Sequence, residues 1–341
     1  MKVLLGMSGG LDSTYSAHLL KTAGYRVEGA VLRMTDDTDI ASAEISAAEI
    51  GIVLNAIDAR ADFAKYVISY FANEYTRGRT PNPCVFCNRY VKIDKLIEYA
   101  VSHGFDKVAT GHYARVLSEN GRYCIARSQS LKKDQSYMLA RLTQDQIKKL
   151  IFPLEGFEKD NVRERARAME LSSAEVRESQ DVCFIPDGDH ISFIEGYYGK
   201  TFPEGDFLDE NGNKVGRHKG IIRYTIGQRK KLGIALGEPV YVSHIDPESN
   251  TVTVKRSGGE FGSCMTVCDL VYQLYEEAGE AVYDDLSVKI RYAAQPVPVR
   301  VKVSEGKAIA EFAEPARAIT PGQTAVFYKG DKIAFSGIIE Q

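Results

Sequence analysis

Apolar segments alternate with amphipathic ones through the first 110 residues, and this alternation constrains the fold more than any other feature of the chain. Four apolar segments are typical of strands, and four segments show the spacing of helices. The predicted strands cover residues 2–7, 27–34, 52–57 and 107–110, and the predicted helices cover residues 11–23, 41–50, 61–75 and 89–103. Because strands and helices alternate at this spacing, we expect an α/β fold with a doubly wound parallel sheet.

The pattern changes near residue 200, where short strand-like segments replace the helices. In three runs between residues 288 and 339, apolar side chains recur at every second position, and turns with glycine separate the runs. This period is typical of a small antiparallel barrel. The sequence thus predicts an α/β domain over residues 1–204, a small central domain over residues 205–262 and a C-terminal antiparallel β-barrel over residues 263–341.

The composition of the 341 residues excludes several classes of protein. No stretch is long and apolar enough for a membrane span or a secretion signal, so we expect a cytoplasmic protein with reduced cysteines. The formal net charge is −3, and the chain is therefore not basic overall. Residues 214–231 nevertheless contain seven Lys or Arg residues and no acid. Such a run is either a solvated surface or a contact for the phosphates of a nucleic acid.

The segment GMSGG at residues 6–10 follows the first predicted strand and has two interpretations. It matches the G-x-S-x-G turn that presents a nucleophilic serine in α/β-hydrolases, but the chain has no HGGG-type oxyanion segment and the motif follows the first strand. A phosphate-binding loop explains more, because glycines let the backbone approach an anion and the next helix begins with partial positive charge. Asp12 then requires Mg²⁺ to offset its repulsion of phosphate. The simpler alternative is a helix start capped by its own Asp and Ser side chains.

The motif Ser-Gly-Gly-x-Asp-Ser at residues 8–13 resembles the pyrophosphatase loop of ATP-adenylating enzymes, whose fold is that of the adenine nucleotide alpha hydrolases. Thiolases, GMP and NAD synthetases and argininosuccinate synthetase are members. These enzymes split ATP between its α- and β-phosphates and transfer AMP to an oxygen atom. The loop by itself identifies only this superfamily.

Seven further segments resemble the bacterial tRNA-specific 2-thiouridylases of the MnmA type, in the same order and over nearly the whole chain. They are GRTPNPCVFCN (78–88), ATGHYAR (109–115), KDQSY (133–137), ESQDVCFI (178–185), GRHKG (216–220), YTIGQR (224–229) and PGQ (321–323). The resemblance implies ATP-dependent 2-thiolation of a uridine in the tRNA anticodon loop, at the wobble position. The C2 oxygen would be adenylated first, and sulfur from a cysteine persulfide would then displace AMP.

The same resemblance implies roles for individual residues. Cys87 corresponds to the nucleophile, and Cys183 to the persulfide carrier, which a sulfur-donor relay protein or a cysteine desulfurase must load. The residues implied in binding ATP, with Mg²⁺, are Gly6, Met7, Ser8, Gly9, Gly10, Leu11, Asp12, Ser13, Met34 and Gly111. The residues implied in binding tRNA are Asn82, Pro83 and Cys84 at the target base, and His112, Lys133, Asp134, Gln135, Arg291, Tyr292 and Gln323 elsewhere.

The chain departs from the family at Cys84, where Asp is common. Cys84 and Cys87, with the distant Cys183, could ligate three irons of a [4Fe–4S] cluster and leave the fourth iron open for sulfide. Alternatively, Cys84 is an extra thiol that pairs with Cys87 as a redox couple. A structural zinc site lacks an evident fourth ligand. We expect the persulfide route in preference to the cluster.

Two other functions remain open at this point. Another adenylating thiolase or ligase with a different acceptor would share the loop and the cysteines. A non-catalytic RNA-binding protein would have no need for the complete loop together with Cys87 and Cys183. We therefore expect an ATP-dependent tRNA sulfurtransferase.

Overall fold

The computed structural model describes residues 1–176 and 182–340, and its N-terminal part is built on a five-stranded parallel sheet. Seven strands precede residue 152, and their bounds are β1 Lys2–Gly6, β2 Arg26–Arg33, β3 Leu54–Asp58, β4 Lys107–Ala109, β5 Ala114–Glu119, β6 Arg122–Arg127 and β7 Leu150–Ile151. Five of them pair in the order β3-β2-β1-β4-β7, and every pair is parallel. The expected α/β fold is confirmed.

Helices pack on both faces of this sheet. Their bounds are α1 Leu11–Thr22, α2 Ile40–Ile50, α3 Arg60–Phe63, α4 Ser69–Thr76, α5 Pro83–Cys87, α6 Asp94–Ser102, α7 Gln144–Lys149, α8 Lys159–Ala168 and α9 His190–Tyr198. Successive residues of β1 point to opposite faces, so Leu4 belongs to one buried cluster while Val3 and Leu5 belong to the other. None of the described helices is long and apolar enough to cross a membrane.

The helix predicted over residues 89–103 begins earlier, at Pro83. Proline is favoured in the first helical turn because its backbone angle is already helical and its missing N–H is not needed there. The helix then continues through a π-helical turn, Asn88–Ile93, into α6. Cys84 and Cys87 therefore lie on a helix and not in the loop before it.

The order of the strands reverses direction between β1 and β4. From β1 the chain adds β2 and then β3 on one side, whereas β4 and β7 lie on the other side. In an open parallel sheet, the carboxyl ends of two such strands frame the crevice where ligands bind. The GMSGG segment follows β1, and Gly111 follows β4, so the fold brings both to this crevice.

The central part of the chain forms a separate four-stranded sheet with the order β10-β11-β8-β9. The strand bounds are β8 Gly205–Leu208, β9 Lys214–His218, β10 Val240–Asp246 and β11 Thr251–Arg256. Phe207 and Val252 are buried in its core together with Ile194 of α9. Phe71 of α4 belongs to the same cluster, and the central sheet therefore packs directly on the N-terminal α/β part.

The last six strands form the predicted antiparallel barrel, which closes where the first and last of them pair. Their bounds are β12 Phe261–Tyr272, β13 Glu280–Lys289, β14 Val297–Ser304, β15 Lys307–Arg317, β16 Thr324–Lys329 and β17 Lys332–Ile339. The β5–β6 hairpin extends this sheet, with Ala126 opposite Lys332. The hairpin was not predicted, although Asn120-Gly121 between two strand-like runs is a known hairpin signal.

Candidate active site

The loop after β1 leaves its backbone open to an anion. Gly10 is the N-cap of α1, and no side chain caps this helix in the described part of the chain. Ser13 Oγ donates to the Gly10 carbonyl at 3.0 Å and accepts from the Ser8 N–H at 3.3 Å. The first helical N–H groups are therefore not capped by a side chain, which is the arrangement that phosphate-binding loops use. The alternative of a self-capped helix does not describe this loop.

Two positions near the loop require glycine because another part of the backbone lies too close for a side chain. Gly9 has φ +77°, and a Cβ there would lie 2.5 Å from the carbonyl carbon of Ser42 at the start of α2. A Cβ on Gly111 would lie 2.9 Å from the carbonyl carbon of Asp12. The loop after β1 can therefore approach α2, and the loop after β4 can approach α1, only because both positions lack a side chain.

Asp12 is held by two residues that the sequence did not single out. Its Oδ1 accepts a hydrogen bond from the Tyr113 hydroxyl at 2.9 Å, and its Oδ2 lies 3.0 Å from Lys159 Nζ on α8. Lys159 supplies a positive charge beside the carboxylate. The protein itself thus offsets part of the charge for which the sequence invoked Mg²⁺.

A single cavity of about 620 Å³ connects this loop with Cys183. At one end it is lined by Gly6, Met7, Ser8, Asp12 and Ser13, and by Met34 and Gly111 from the ends of β2 and β4. At the other end it is lined by Lys92, His112, Gln135 and Cys183. Of the residues expected to bind ATP, seven line this cavity, and Gly9, Gly10 and Leu11 belong to the same turn.

Cys84, Cys87 and Cys183 lie near one another, and Cys183 lines the cavity. Cys87 is buried and its Sγ is 3.9 Å from Met34 Sδ, whereas Cys84 and Cys183 are exposed. Burial raises the pKa of Cys87 to about 11; the sulfurs of Cys183 and Cys84 act in the same direction, and Lys92 opposes them. The residues Glu178, Ser179, Gln180 and Asp181, which precede Cys183 in its motif, lie outside the described residues.

The cysteines do not form a metal centre in this structure. Within residues 1–176 and 182–340, no three His, Cys, Asp or Glu side chains are placed so that they could hold a metal ion. All six cysteines are free thiols. The donor set that the sequence suggested for a [4Fe–4S] cluster is therefore not assembled.

His112 lies in the cavity as a neutral side chain. Its Nδ1 is 2.8 Å from Thr110 Oγ1, and its ring packs edge-on against Phe152. Burial, assisted by the charge of Lys92, lowers the pKa of His112 to about 3. The imidazole can therefore act as a hydrogen-bonding group at neutral pH but not as a cation.

The three side chains of the segment Lys133-Asp134-Gln135 lie in different environments. Asp134 is 5% exposed, and its carboxylate accepts hydrogen bonds from the N–H groups of Ser128 and Ser136 and from the Ser136 hydroxyl. Gln135 lines the cavity and accepts from the Tyr113 N–H at 3.0 Å. Lys133 is half-buried. The structure thus places Gln135 at the cavity, while Asp134 holds together the turn on which Gln135 lies.

The loop before α5 joins all three parts of the molecule. Gln323 of the barrel donates to the Thr80 carbonyl at 2.8 Å, and the Thr80 hydroxyl is 3.0 Å from that of Thr225 in the central part. Asn82 interacts with the Tyr137 hydroxyl, which donates to the Thr324 carbonyl. Pro83 is buried at the start of α5. Gln323 therefore connects the barrel to the helix that carries the cysteines.

Arg291 and Tyr292 lie at the surface of the barrel, away from the nucleotide loop. Both side chains are exposed, and Arg291 donates to the Arg317 carbonyl. Lys289 is buried between the rings of Tyr137 and Tyr292, with its Nζ 5.7 and 5.6 Å from their centroids. Since Tyr137 also contacts Asn82, this surface continues toward α5.

The basic stretch of residues 214–231 has two halves with different partners. In the first half, Lys214 and Arg217 pair with Asp206, and Arg223 lies 3.8 Å from Glu195. In the second half, the side chains at positions 229–231 are exposed and make no ion pair with any residue that the structure describes. Folding therefore pairs Lys214, Arg217 and Arg223 with carboxylates, whereas Arg229, Lys230 and Lys231 pair with none of the described carboxylates.

Comparison with known proteins covers the whole chain. Three family models match, described as the tRNA methyl transferase HUP domain over residues 1–187, the tRNA methyl transferase PRC-barrel domain over residues 191–256 and the aminomethyltransferase beta-barrel domain over residues 263–339. A tRNA-specific 2-thiouridylase MnmA of Carboxydothermus hydrogenoformans is 42% identical over 358 residues, covering 100% of this chain and 98% of the relative. The protein of the same name from Lachnoclostridium phytofermentans is 41% identical, covering 99% of both.

Similarity to solved structures is weaker. A crystal structure described as a predicted subunit of tRNA methyltransferase from Methanocaldococcus jannaschii covers 49% of this chain and 76% of that one, with 20% identity and a TM-score of 0.34. The relatives in sequence are thus far closer to this chain than that structure is.

Proposed function

The chain belongs to the family of tRNA-specific 2-thiouridylases and so catalyses ATP-dependent 2-thiolation of uridine in tRNA, and on this premise we propose how its cavity carries out the reaction. The observation that carries the proposal is that the nucleotide loop and Cys183 line one and the same cavity. A uridine inserted between them can be adenylated from one end and attacked by sulfur from the other. We propose the wobble uridine of the anticodon as the target.

The first step is adenylation of the C2 oxygen at the loop end. The open N–H groups of α1 and the hydroxyls of Ser8 and Ser13 bind the phosphates of ATP. Asp12 would hold Mg²⁺ together with phosphate oxygens, a donor set that suits this ion and would neutralise the phosphates. The uridine O2 attacks the α-phosphorus, the bond to the β-phosphate oxygen breaks, and pyrophosphate leaves.

The second step transfers sulfur at the cysteine end. The terminal sulfur of a Cys183 persulfide attacks C2, and the C2–O bond breaks so that AMP leaves with the electron pair. The Cys87 thiolate then attacks the inner sulfur of Cys183, which breaks the sulfur–sulfur bond and leaves the terminal sulfur on C2 as 2-thiouridine. The persulfide sulfur is thereby reduced and the two cysteines are oxidised to a Cys87–Cys183 disulfide. An external thiol reductant must regenerate them.

We propose this persulfide route and derive no step through an iron–sulfur cluster, because the described residues do not assemble its ligands. The exposed position of Cys183 supports loading by a separate protein, either a sulfur-donor relay protein or a cysteine desulfurase. Cys84 lies beside both reacting cysteines, one helical turn before Cys87, where it would face the inserted base.

We propose that the α/β part, residues 1–204, carries the chemistry and that residues 205–262 and 263–341 bind tRNA in the cytoplasm. Arg229, Lys230 and Lys231 would contact phosphates. Other contacts would be made by Asn82, Pro83, His112, Lys133, Gln135, Arg291, Tyr292 and Gln323. Asp134 would act indirectly, because its carboxylate is already engaged within the turn that carries Gln135.

The proposal is tested by nucleoside mass spectrometry. Purified protein, tRNA, ATP and a sulfur donor are expected to yield 2-thiouridine at the wobble position, with one pyrophosphate released for each. Cells that lack the protein are expected to lack this nucleoside. If pyrophosphate is released and a different nucleoside is modified, the acceptor is wrong; if tRNA binds and no ATP is consumed, the protein is not the enzyme proposed.

A further inference from the structure

Lys92 lies on the helix that carries Cys84 and Cys87. It belongs to a π-helical turn that alters the direction in which its side chain points. In a regular α-helix, side chains five residues apart point about 140° away from each other. Between Asn88 and Ile93, however, the helix is π-helical, and each turn takes in one residue more. The wider turn brings Lys92 toward the face that carries Cys87. Such insertions into helices are frequent at functional sites.

The cavity that contains Lys92 has an unusual balance of charge. Three carboxylates line it, those of Asp12, Asp37 and Asp39. Lys92 is the one cation among the described residues that line it, and it makes no ion pair with any of the residues described. A half-buried ammonium group without a carboxylate partner is costly unless another anion approaches it.

The groups that face Lys92 identify this anion as sulfur. Cys84 and Cys87 lie on its own helix, Cys183 approaches from another segment, and His112 lies across the cavity. Burial opposes the charge of Lys92, yet the sulfurs of Cys87, Cys84 and Cys183 together raise its pKa. His112 is neutral there, and Lys92 makes no ion pair with a described carboxylate of the cavity. The ammonium group of Lys92 thus interacts with the cysteines at its end of the cavity.

We propose that Lys92 is a catalytic residue of sulfur transfer, whose ammonium group binds the sulfur anion that attacks C2 and the thiolate that follows it. The inference rests on the proposed function. The bonds made and broken are those of the second step above, and Lys92 contributes charge without exchanging a proton. A preorganised charge stabilises such an anion more than water would, because it needs no reorganisation when the anion forms. Lys92 has no part in binding ATP.

The test separates the two steps in a single turnover. Persulfide-loaded Lys92→Met protein is mixed with ATP and tRNA, and pyrophosphate and 2-thiouridine are measured against time. We expect 2-thiouridine formation to slow by about 100-fold, the loss found when one such donor is removed, while pyrophosphate release stays close to that of the unmodified protein. Lys92→Arg is expected to recover much of the lost rate, because it restores the charge.

Lys95→Met is the matched control, since Lys95 follows on the same helix and pairs at the surface with Asp62 and Glu98. It is expected to leave both rates unchanged. If Lys92→Met slows pyrophosphate release as much as 2-thiouridine formation, or slows neither, Lys92 is not the group proposed. If Lys92→Met does not fold, Lys92→Gln is used in the same way. Failure of the proposed function can be distinguished from failure of the role proposed for Lys92, because in the first case the unmodified protein itself would form no 2-thiouridine.

Discussion

The two ends of the cavity are built in different ways. The nucleotide end comes mainly from one contiguous loop, residues 6–13, which offers backbone N–H groups and small hydroxyls. The cysteine end is assembled from segments far apart in the chain, with Lys92 on the helix that begins at Pro83, His112 after β4 and Cys183 before α9. In the proposed mechanism, phosphate binding thus depends on local sequence, whereas the sulfur chemistry depends on how separate segments pack. We therefore expect substitutions at the cysteine end to impair sulfur transfer, and substitutions at the nucleotide end to impair ATP binding and folding.

The largest effect is expected at the cysteine end. Cys183→Ser and Cys87→Ser should each lower the rate of 2-thiouridine formation by about a thousandfold or more, because each removes a thiol that the second step requires. ATP and tRNA should still bind, since neither thiol holds the loop. Thiolation is measured by nucleoside mass spectrometry and binding by calorimetry.

Cys264→Ser is the control for this pair, because Cys264 is an exposed thiol on β12 of the barrel. It should leave thiolation unchanged. Full thiolation by Cys183→Ser would contradict the assigned persulfide carrier, and loss of ATP binding would mean that the two ends are not separable.

The next largest effect is expected at the nucleotide end, and it should appear in folding as well as in activity. Gly9→Ala places a Cβ 2.5 Å from backbone of α2 at a φ of +77°. We expect it to lower the free energy of unfolding by about 3 kcal/mol and to weaken ATP binding. Urea denaturation and nucleotide titration measure the two effects.

Gly10→Ala provides the contrast within the same loop. The nearest atom to its Cβ would be Ser8 Oγ at 3.5 Å, an ordinary contact, and the φ of Gly10 is −81°. Its free energy of unfolding should therefore stay within about 0.5 kcal/mol of the original. Equal destabilisation by the two substitutions would show that the approach of the loop to α2 is not what requires Gly9.

The smallest effect is expected from substitutions in the basic stretch of residues 214–231. These substitutions test tRNA binding, whereas the preceding ones test the two ends of the cavity. Reversing the charges of Arg229, Lys230 and Lys231 to Glu should weaken tRNA binding about tenfold or more and reduce its salt dependence, because fewer counterions are released. Reversing Lys214, Arg217 and Arg223 should have a smaller effect on binding, since these residues already pair with carboxylates. Affinities are measured at several salt concentrations. Equal effects of the two triple variants would contradict the division of the stretch into two halves.

Much of the fold could be read from the sequence because its signals are local. The alternation of strands and helices, the turns and the SGGLDS loop each lie within a few residues, and the structure confirms the parallel sheet and the barrel. The sequence did not predict the start of the helix at Pro83, although Pro is favoured at that position. It did not predict the β5–β6 hairpin either, whose antiparallel strands lie within a domain where strands otherwise alternate with helices.

The sequence by itself determined the family and the reaction and predicts the nucleotide loop, because the motifs that carry them are residue types at short, fixed spacings. Only the tertiary structure decided that Lys159 and Tyr113 hold Asp12, that Asp134 is buried within its turn, and that Lys214, Arg217 and Arg223 pair with carboxylates. It also decided that Lys92 faces the cysteines, through a π-helical turn that no spacing rule anticipates. Each of these depends on charges and side chains brought together from distant parts of the chain, where sequence distance carries no information about contact.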